Sequence, residues 1–101
     1  LSPMEKRKPH CPLSVVQRLI SEGKASYTGS ALSGAAAMSF DKAGIDRVLL
    51  NLTMADFYKS MTTYSDNTIW QDVYRASCQG WNIYLKITVL DDVAVISFKE
   101  R

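Results

Sequence analysis

The sequence predicts an α+β domain, an antiparallel sheet with about three helices packed on one face. Three observations carry that prediction. The N-terminal half holds two stretches of apolar residues at helical spacing, Val15-Val16-Leu19-Ile20 and Ile45-Val48-Leu49-Leu52. The C-terminal third instead alternates apolar and polar residues across 83–90 and 93–99. Helices come first and strands last, with no Gly/Ser linker, repeat or low-complexity tract between them, which suits segregated layers in a single domain. A chain of 101 residues fits one modest core.

Leu1-Ser2-Pro3 ahead of Met4 reads as a vector-derived scar, leaving 4–101 as the expected domain. Residues 4–12 are basic, carry Pro9 and Pro12, and read as an irregular lead-in. Ser14 followed by Gln17 matches a capping box and opens the first helix, which Gly23 ends. Residues 25–28 suit a short strand, and the Ala-rich stretch 30–38 a second helix with a small face. Asp41 is the expected N-cap of the third helix. Thr53 with Asp56 predicts a further capped turn.

The strongest local inference is the last hairpin. A turn at Asp91-Asp92 pairs Leu90 with Val93, although Asn-Gly or Asp-Gly is the commoner choice there. In that register Tyr84 stands opposite Lys99, with Cβ atoms about 5 Å apart. Leu85, Ile87, Val89, Ala94, Ile96 and Phe98 then face the helices. Tyr84, Lys86, Thr88, Ser97 and Lys99 face away from them. Residues 57–63 and 68–75 read as a preceding hairpin across Tyr64–Asn67, with 57–63 as a helical continuation from Thr53 the alternative. Neither segment alternates cleanly, so pattern alone leaves the faces of Lys59 and Gln71 open.

The net charge is +2 and the pI about 8.6, short of the value above ~9 that marks an obvious nucleic-acid binder. Distribution matters more than the total. From residue 59 onward five bases fall mostly in expected strands, while three of five acids fall in expected turns. One sheet face is therefore expected to be basic within a nearly neutral domain. No apolar run approaches the roughly 18 residues of a membrane span, and the cytoplasm is the expected compartment. Cys11 and Cys78 are expected to be reduced, half-buried thiols. Two cysteines and the single His10 are too few for an ordinary zinc site, so no metal is expected.

The block FYKSMTTYSDNTIWQDVYR at 57–75, with YLKI at 84–87 and SFKE at 97–100, resembles the motility quorum-sensing regulator toxin family. These are bacterial mRNA interferases of toxin–antitoxin pairs. The resemblance begins at MEKR (4–7) and runs to the last residue. It implies a RelE-like fold and brings Lys59 and Gln71 beside Tyr84 and Lys99 as a catalytic set. It also implies cleavage of mRNA at short GC-containing triplets such as GCU, no cofactor, and a cognate antitoxin, expected to bind DNA, as partner. All four positions are filled by the expected residue types. Departures fall in the N-terminal half and in the loop 76–81.

Those residue types suit one chemistry. A ribose 2′-OH can attack the adjacent phosphate, leaving a 2′,3′-cyclic phosphate and a 5′-OH. The enzyme must align the attack, move two protons and stabilise the phosphorane. One histidine excludes a histidine pair. Lys and Tyr remain, each with an ordinary pKa near 10. Clustered ammonium groups disfavour one another's charge, and a nearby cation favours a tyrosinate. Tyr84 or a neutral Lys59 is therefore the expected base, Lys99 the group on the non-bridging oxygens, and a protonated lysine the aid to the leaving oxygen. Gln71 is expected to hold a base edge or the 2′-OH. Arg75 and Lys86 are expected to bind RNA through flanking phosphates.

Without the resemblance, Tyr84 is an ordinary strand tyrosine and Lys99 a charge that discourages edge pairing. Trp70, Trp81, Phe57 and Phe98 read as core more readily than as stacking platforms. Two non-catalytic classes use the same residues: an RNA- or ribosome-binding module, and a degenerate toxin kept as its antitoxin's partner. Both predict binding without new RNA ends.

Overall fold

The chain runs β1 (Glu5–Lys6), α1 (Leu13–Ser21), β2 (Ala25–Tyr27), α2 (Gly29–Ala37), α3 (Lys42–Leu50), a 3₁₀ turn (Met54–Asp56), β3 (Phe57–Thr62), β4 (Trp70–Cys78), β5 (Trp81–Leu90) and β6 (Val93–Glu100). This is a computed structural model that describes residues 2–101, so Leu1 of the expected scar lies outside the described residues. The strands form one sheet in the order β1-β3-β4-β5-β6-β2. All neighbours are antiparallel except β2, which runs parallel to β6. The fold is α+β, as the segregation of helical and alternating patterns predicts.

The helices show which local signals governed. α1 starts at Leu13, directly after Pro12, and has no side-chain cap. Ser14 is already inside the helix, too late to serve as N-cap, so the expected capping box does not form. Gln17 acts elsewhere. Its amide donates to the carbonyls of Leu49 (3.1 Å), Leu50 (3.3 Å) and Leu52 (3.0 Å), satisfying orphan acceptors at the end of α3. Leu13, Val16, Leu19 and Ile20 form the buried stripe of α1, with Val15 only half-buried at its margin. Gly23 adopts φ 73° just beyond the helix, the left-handed stop the sequence predicts.

Asp41 caps α3 by accepting from the Gly44 N–H at 2.8 Å, and Ile45, Val48, Leu49 and Leu52 are all buried. Thr53 and Asp56 form their reciprocal cap, with the Thr53 N–H donating to the Asp56 carboxylate at 2.9 Å. α2 is small-faced because it lies almost on top of β6. A Cβ placed on Gly34 would sit 2.6 Å from the Phe98 carbonyl oxygen. The core fills the space between these helices and one sheet face, with Tyr74, Ile83, Leu85, Ile87, Ile96 and Phe98 at its floor.

Two tight turns set the register of the central strands. Asp91 and Asp92 both take positive φ, 49° and 60°, as a type I′ turn requires, so Leu90 pairs with Val93 and Tyr84 with Lys99. Gln79 and Gly80 do the same at 54° and 80°, pairing Cys78 with Trp81. The segment 76–81 is therefore strand, turn and strand. Residues 4–12 are likewise more ordered than an irregular lead-in, because β1 pairs with β3. Among the described residues no helix is long and apolar enough to cross a membrane.

Candidate active site

Register assigns the helix-free face row by row, because directly opposed residues on neighbouring strands share a face. One row reads Lys99, Tyr84, Arg75 from β6 through β5 to β4. The next reads Ser97, Lys86, Val73, Lys59 and extends to β3. Lys59, Arg75, Tyr84, Lys86 and Lys99 thus all point away from the helices. The Lys99 Nζ lies 5.8 Å from the centre of the Tyr84 ring. Arg75, Lys86 and Lys99 form no ion pair among the described residues.

Gln71 is on this face in the row it shares with Met61 and Glu5, next to the row of Val73 and Lys59. It pairs with Met61, four positions along β4 from Arg75, so its Cα lies roughly 13 Å from the Tyr84 row. The resemblance implied that Gln71 sits beside Tyr84 and Lys99; the register separates them along the strand. His10 is on the other side of the sheet, its ring stacked on Trp70 with centroids 5.5 Å apart.

Pattern left β3 and β4 ambiguous for two physical reasons. The pairing shifts between Phe57 and Lys59, a β-bulge that inserts Tyr58 as an extra residue. Phe57 keeps the helix side, edge-on to Tyr74, while Tyr58 joins Lys59 on the open side. On β4 the usual polarity is inverted at two positions. Val73 is fully buried on the polar face, among the long side chains of its row, and Asp72 is buried on the helix face. Asp72 is buried because it is fully used. Its two carboxylate oxygens accept from the backbone N–H groups of His10 (2.8 Å) and Cys11 (2.9 Å).

Those bonds clamp the N-terminal segment to the sheet. Met4 and Thr62 exchange two bonds of 2.9 Å. The Lys6 ammonium lies 2.8 Å from the His10 Nδ1 and 4.2 Å from the centre of the Trp70 ring. The clamped segment delivers Glu5 to the open face, where its carboxylate accepts from the Lys59 ammonium at 2.6 Å. That hydrogen bond pushes the Lys59 pKa above its ordinary value, with the Glu5 charge and the tyrosines 58 and 84 adding to it. The same bond pulls the Glu5 carboxyl below its ordinary range. Of the two expected bases, Tyr84 and a neutral Lys59, the pairing with Glu5 favours Tyr84, because it favours the charged form of Lys59. The cluster contains a carboxylate that the local sequence around Lys59 does not reveal, 54 residues away in the chain.

Tyr58 is the other residue that sequence reasoning missed. The Arg75 guanidinium carbon lies 3.5 Å from the centre of its ring, and Arg7 and Lys59 lie 5.8 and 5.2 Å from it. The broken alternation at 57–59 was the only local sign of it. The face is thus a shallow, cation-rich surface with two tyrosines, suited to an extended polyanion. A more enclosed cleft of ≈ 360 Å³ lies elsewhere, on the helix side between α3 and the β4–β5 turn, lined by Phe40, Arg47, Asn51 and Cys78. Among the described residues no three His, Cys, Asp or Glu side chains cluster as metal ligands. Both cysteines are free and half-buried, and burial raises the Cys11 thiol.

Two comparisons show what the chain is similar to. The family model described as "Motility quorum-sensing regulator, toxin of MqsA" matches residues 8–100. A curated relative from Escherichia coli (strain K12), named "mRNA interferase toxin MqsR", is 52% identical over 98 residues. That alignment covers 97% of this chain and 100% of the relative.

Proposed function

This chain belongs to the motility quorum-sensing regulator toxin family, and from that premise we propose a metal-independent endoribonuclease whose site is the helix-free face. It is the toxin of a toxin–antitoxin pair, an mRNA interferase with mRNA as substrate and an antitoxin as partner. The cytoplasm, where mRNA is, is its working compartment. The partner is an antitoxin that binds DNA. Cleavage falls at short GC-containing triplets, GCU among them.

The observation that carries the site is the row Lys99–Tyr84 beside Lys59, on a face with four strand cations and Glu5 as the carboxylate among them. Glu5 keeps Lys59 protonated, so Tyr84, reacting as the tyrosinate that neighbouring cations favour, takes the proton from the 2′-OH and becomes neutral. The oxygen then attacks the adjacent phosphorus and the bond to the 5′-oxygen breaks. Lys59, as the cation, gives its proton to the leaving 5′-oxygen or stabilises the charge that develops there. Lys99 holds the non-bridging oxygens. Arg75 and Lys86 hold phosphates on either side. Gln71, one row along from Lys59, holds a base edge or the 2′-OH.

The test is cleavage of a synthetic, ribosome-free mRNA by the purified protein in EDTA, with ends mapped. The expected outcome is discrete cuts at a repeated triplet with 5′-OH products, lost in Lys59→Ala and Tyr84→Phe. Binding without new ends, with or without translating ribosomes, would replace the enzyme by an RNA-binding module.

A further inference from the structure

The reading above uses the side chains of β3 to β6 and leaves the N-terminal segment unexplained. Yet that segment is held with unusual care. Its backbone at His10 and Cys11 uses up both oxygens of a buried carboxylate, and its strand closes the sheet edge beside β3. A solvated tail needs none of this. What the anchoring achieves on the open face is the placement of one group, the Glu5 carboxylate, at 2.6 Å from the Lys59 Nζ.

We propose that Glu5 is a positioning residue for the cleavage reaction, fixing the orientation and the proton of Lys59 through the clamped N-terminal strand. The proposal rests on the reading of Lys59 as a reacting group. An isolated surface pair between flexible side chains is worth little. Here the Lys59 side chain is only 16% exposed, and the strand bearing Glu5 is fixed by backbone pairing, so the geometry is set before RNA arrives. The groups facing Lys59 are Glu5 from β1, Tyr58 from its own strand and Tyr84 from β5, with Lys86 along its row and Arg7 near Glu5. The Val73 side chain facing it from β4 is apolar. Glu5 is the one carboxylate among them. Without it, the charged groups around Lys59 are the cations Arg7, Arg75, Lys86 and Lys99, and like charges favour loss of its proton. Phosphate competes for the same ammonium on binding. A carboxylate at the edge of the site then keeps the lysine aimed between turnovers and returns it to the charged state.

The experiment uses the full chain with Glu5→Gln and Glu5→Asp. The Lys59 side chain is titrated by NMR, and cleavage is followed against pH. In Glu5→Gln the Lys59 titration moves to lower pH and kcat falls about ten-fold with KM nearly unchanged. The alkaline loss of activity moves down with the titration. Glu5→Asp restores most of both. Melting curves identify any variant that fails to fold, and Glu5→Asp then carries the comparison. A Lys59 titration unmoved by Glu5→Gln overturns the proposal, as does a moved titration with unchanged cleavage. If the wild-type protein itself cuts no RNA, the reading of the face fails, and the titration still decides whether Glu5 sets the state of Lys59.

Discussion

The two faces of the central sheet are built from the same strands and obey opposite rules. On the helix side, Ile83, Leu85, Ile87, Ile96 and Phe98 close a core in which position is set by volume, and any apolar residue of the right size serves. On the open side, Lys59, Arg75, Tyr84, Lys86 and Lys99 are placed one by one by the strand register. The comparison teaches that one alternation supplies both layers, but only the core face explains itself. The open face acquires meaning from its register and from groups that reach it from far away in the chain, Glu5 above all.

Substitutions on the two faces should therefore fail in different ways. The largest effect is expected on the open side. Tyr84→Phe or Lys59→Ala should cost about 10²-fold or more in kcat while leaving the melting temperature within a few degrees, as both change half-buried groups outside the core between helices and sheet. A large loss of stability would mean these residues are structural. The complementary break is Gly34→Ala at the α2–β6 contact. The added methyl meets the Phe98 carbonyl, so about 1–3 kcal/mol of stability should be lost in denaturant titrations. Cleavage at low temperature should persist unless the shift of β6 reaches Lys99.

Smaller effects sharpen the contrast. Lys86→Ala should weaken binding of non-cleavable RNA and lower the slope of log affinity against log salt by about 0.7, with no change in the triplet selected. A changed triplet would make Lys86 a base reader. The smallest effect belongs to the core. The Tyr74 hydroxyl is buried with no partner among the described residues, so Tyr74→Phe should be neutral or gain up to ~1 kcal/mol. Burial raises the Tyr74 pKa above its ordinary value near 10. Its contribution is complete below that value and is lost as pH rises towards the folded pKa. The variant should lose less stability than wild type in alkaline melts, and an identical alkaline decline in both would contradict this.

The sequence made most of the fold legible because most of it follows from short-range rules. Asp41 and the Thr53–Asp56 pair cap where their spacing says, and the 93–99 alternation fixes both the hairpin and the Tyr84–Lys99 pair. Ser14 misled because a sequence match to a capping box does not say where the helix starts, and Pro12 starts it earlier. The site was legible in half. Tyr84 and Lys99 lie on one hairpin, and local spacing places them. Lys59 lies behind a bulge that breaks the period of two, and Gln71 follows a strand whose Asp72 and Val73 reverse the usual polarity. The Glu5–Lys59 pair spans most of the chain and has no local signature.

The most direct test of the claim that the helix-free face is the RNA site is a binding map. A transcript 2′-O-methylated at the cut triplet, which cannot supply the nucleophile, is titrated into the labelled protein and amide shifts are followed. The account predicts the largest changes at Lys59, Arg75, Tyr84, Lys86 and Lys99, extending along β4 to Gln71, with the α1 and α3 amides undisturbed. Shifts concentrated instead in the cleft between α3 and the β4–β5 turn, with the lysine and tyrosine rows silent, would contradict it.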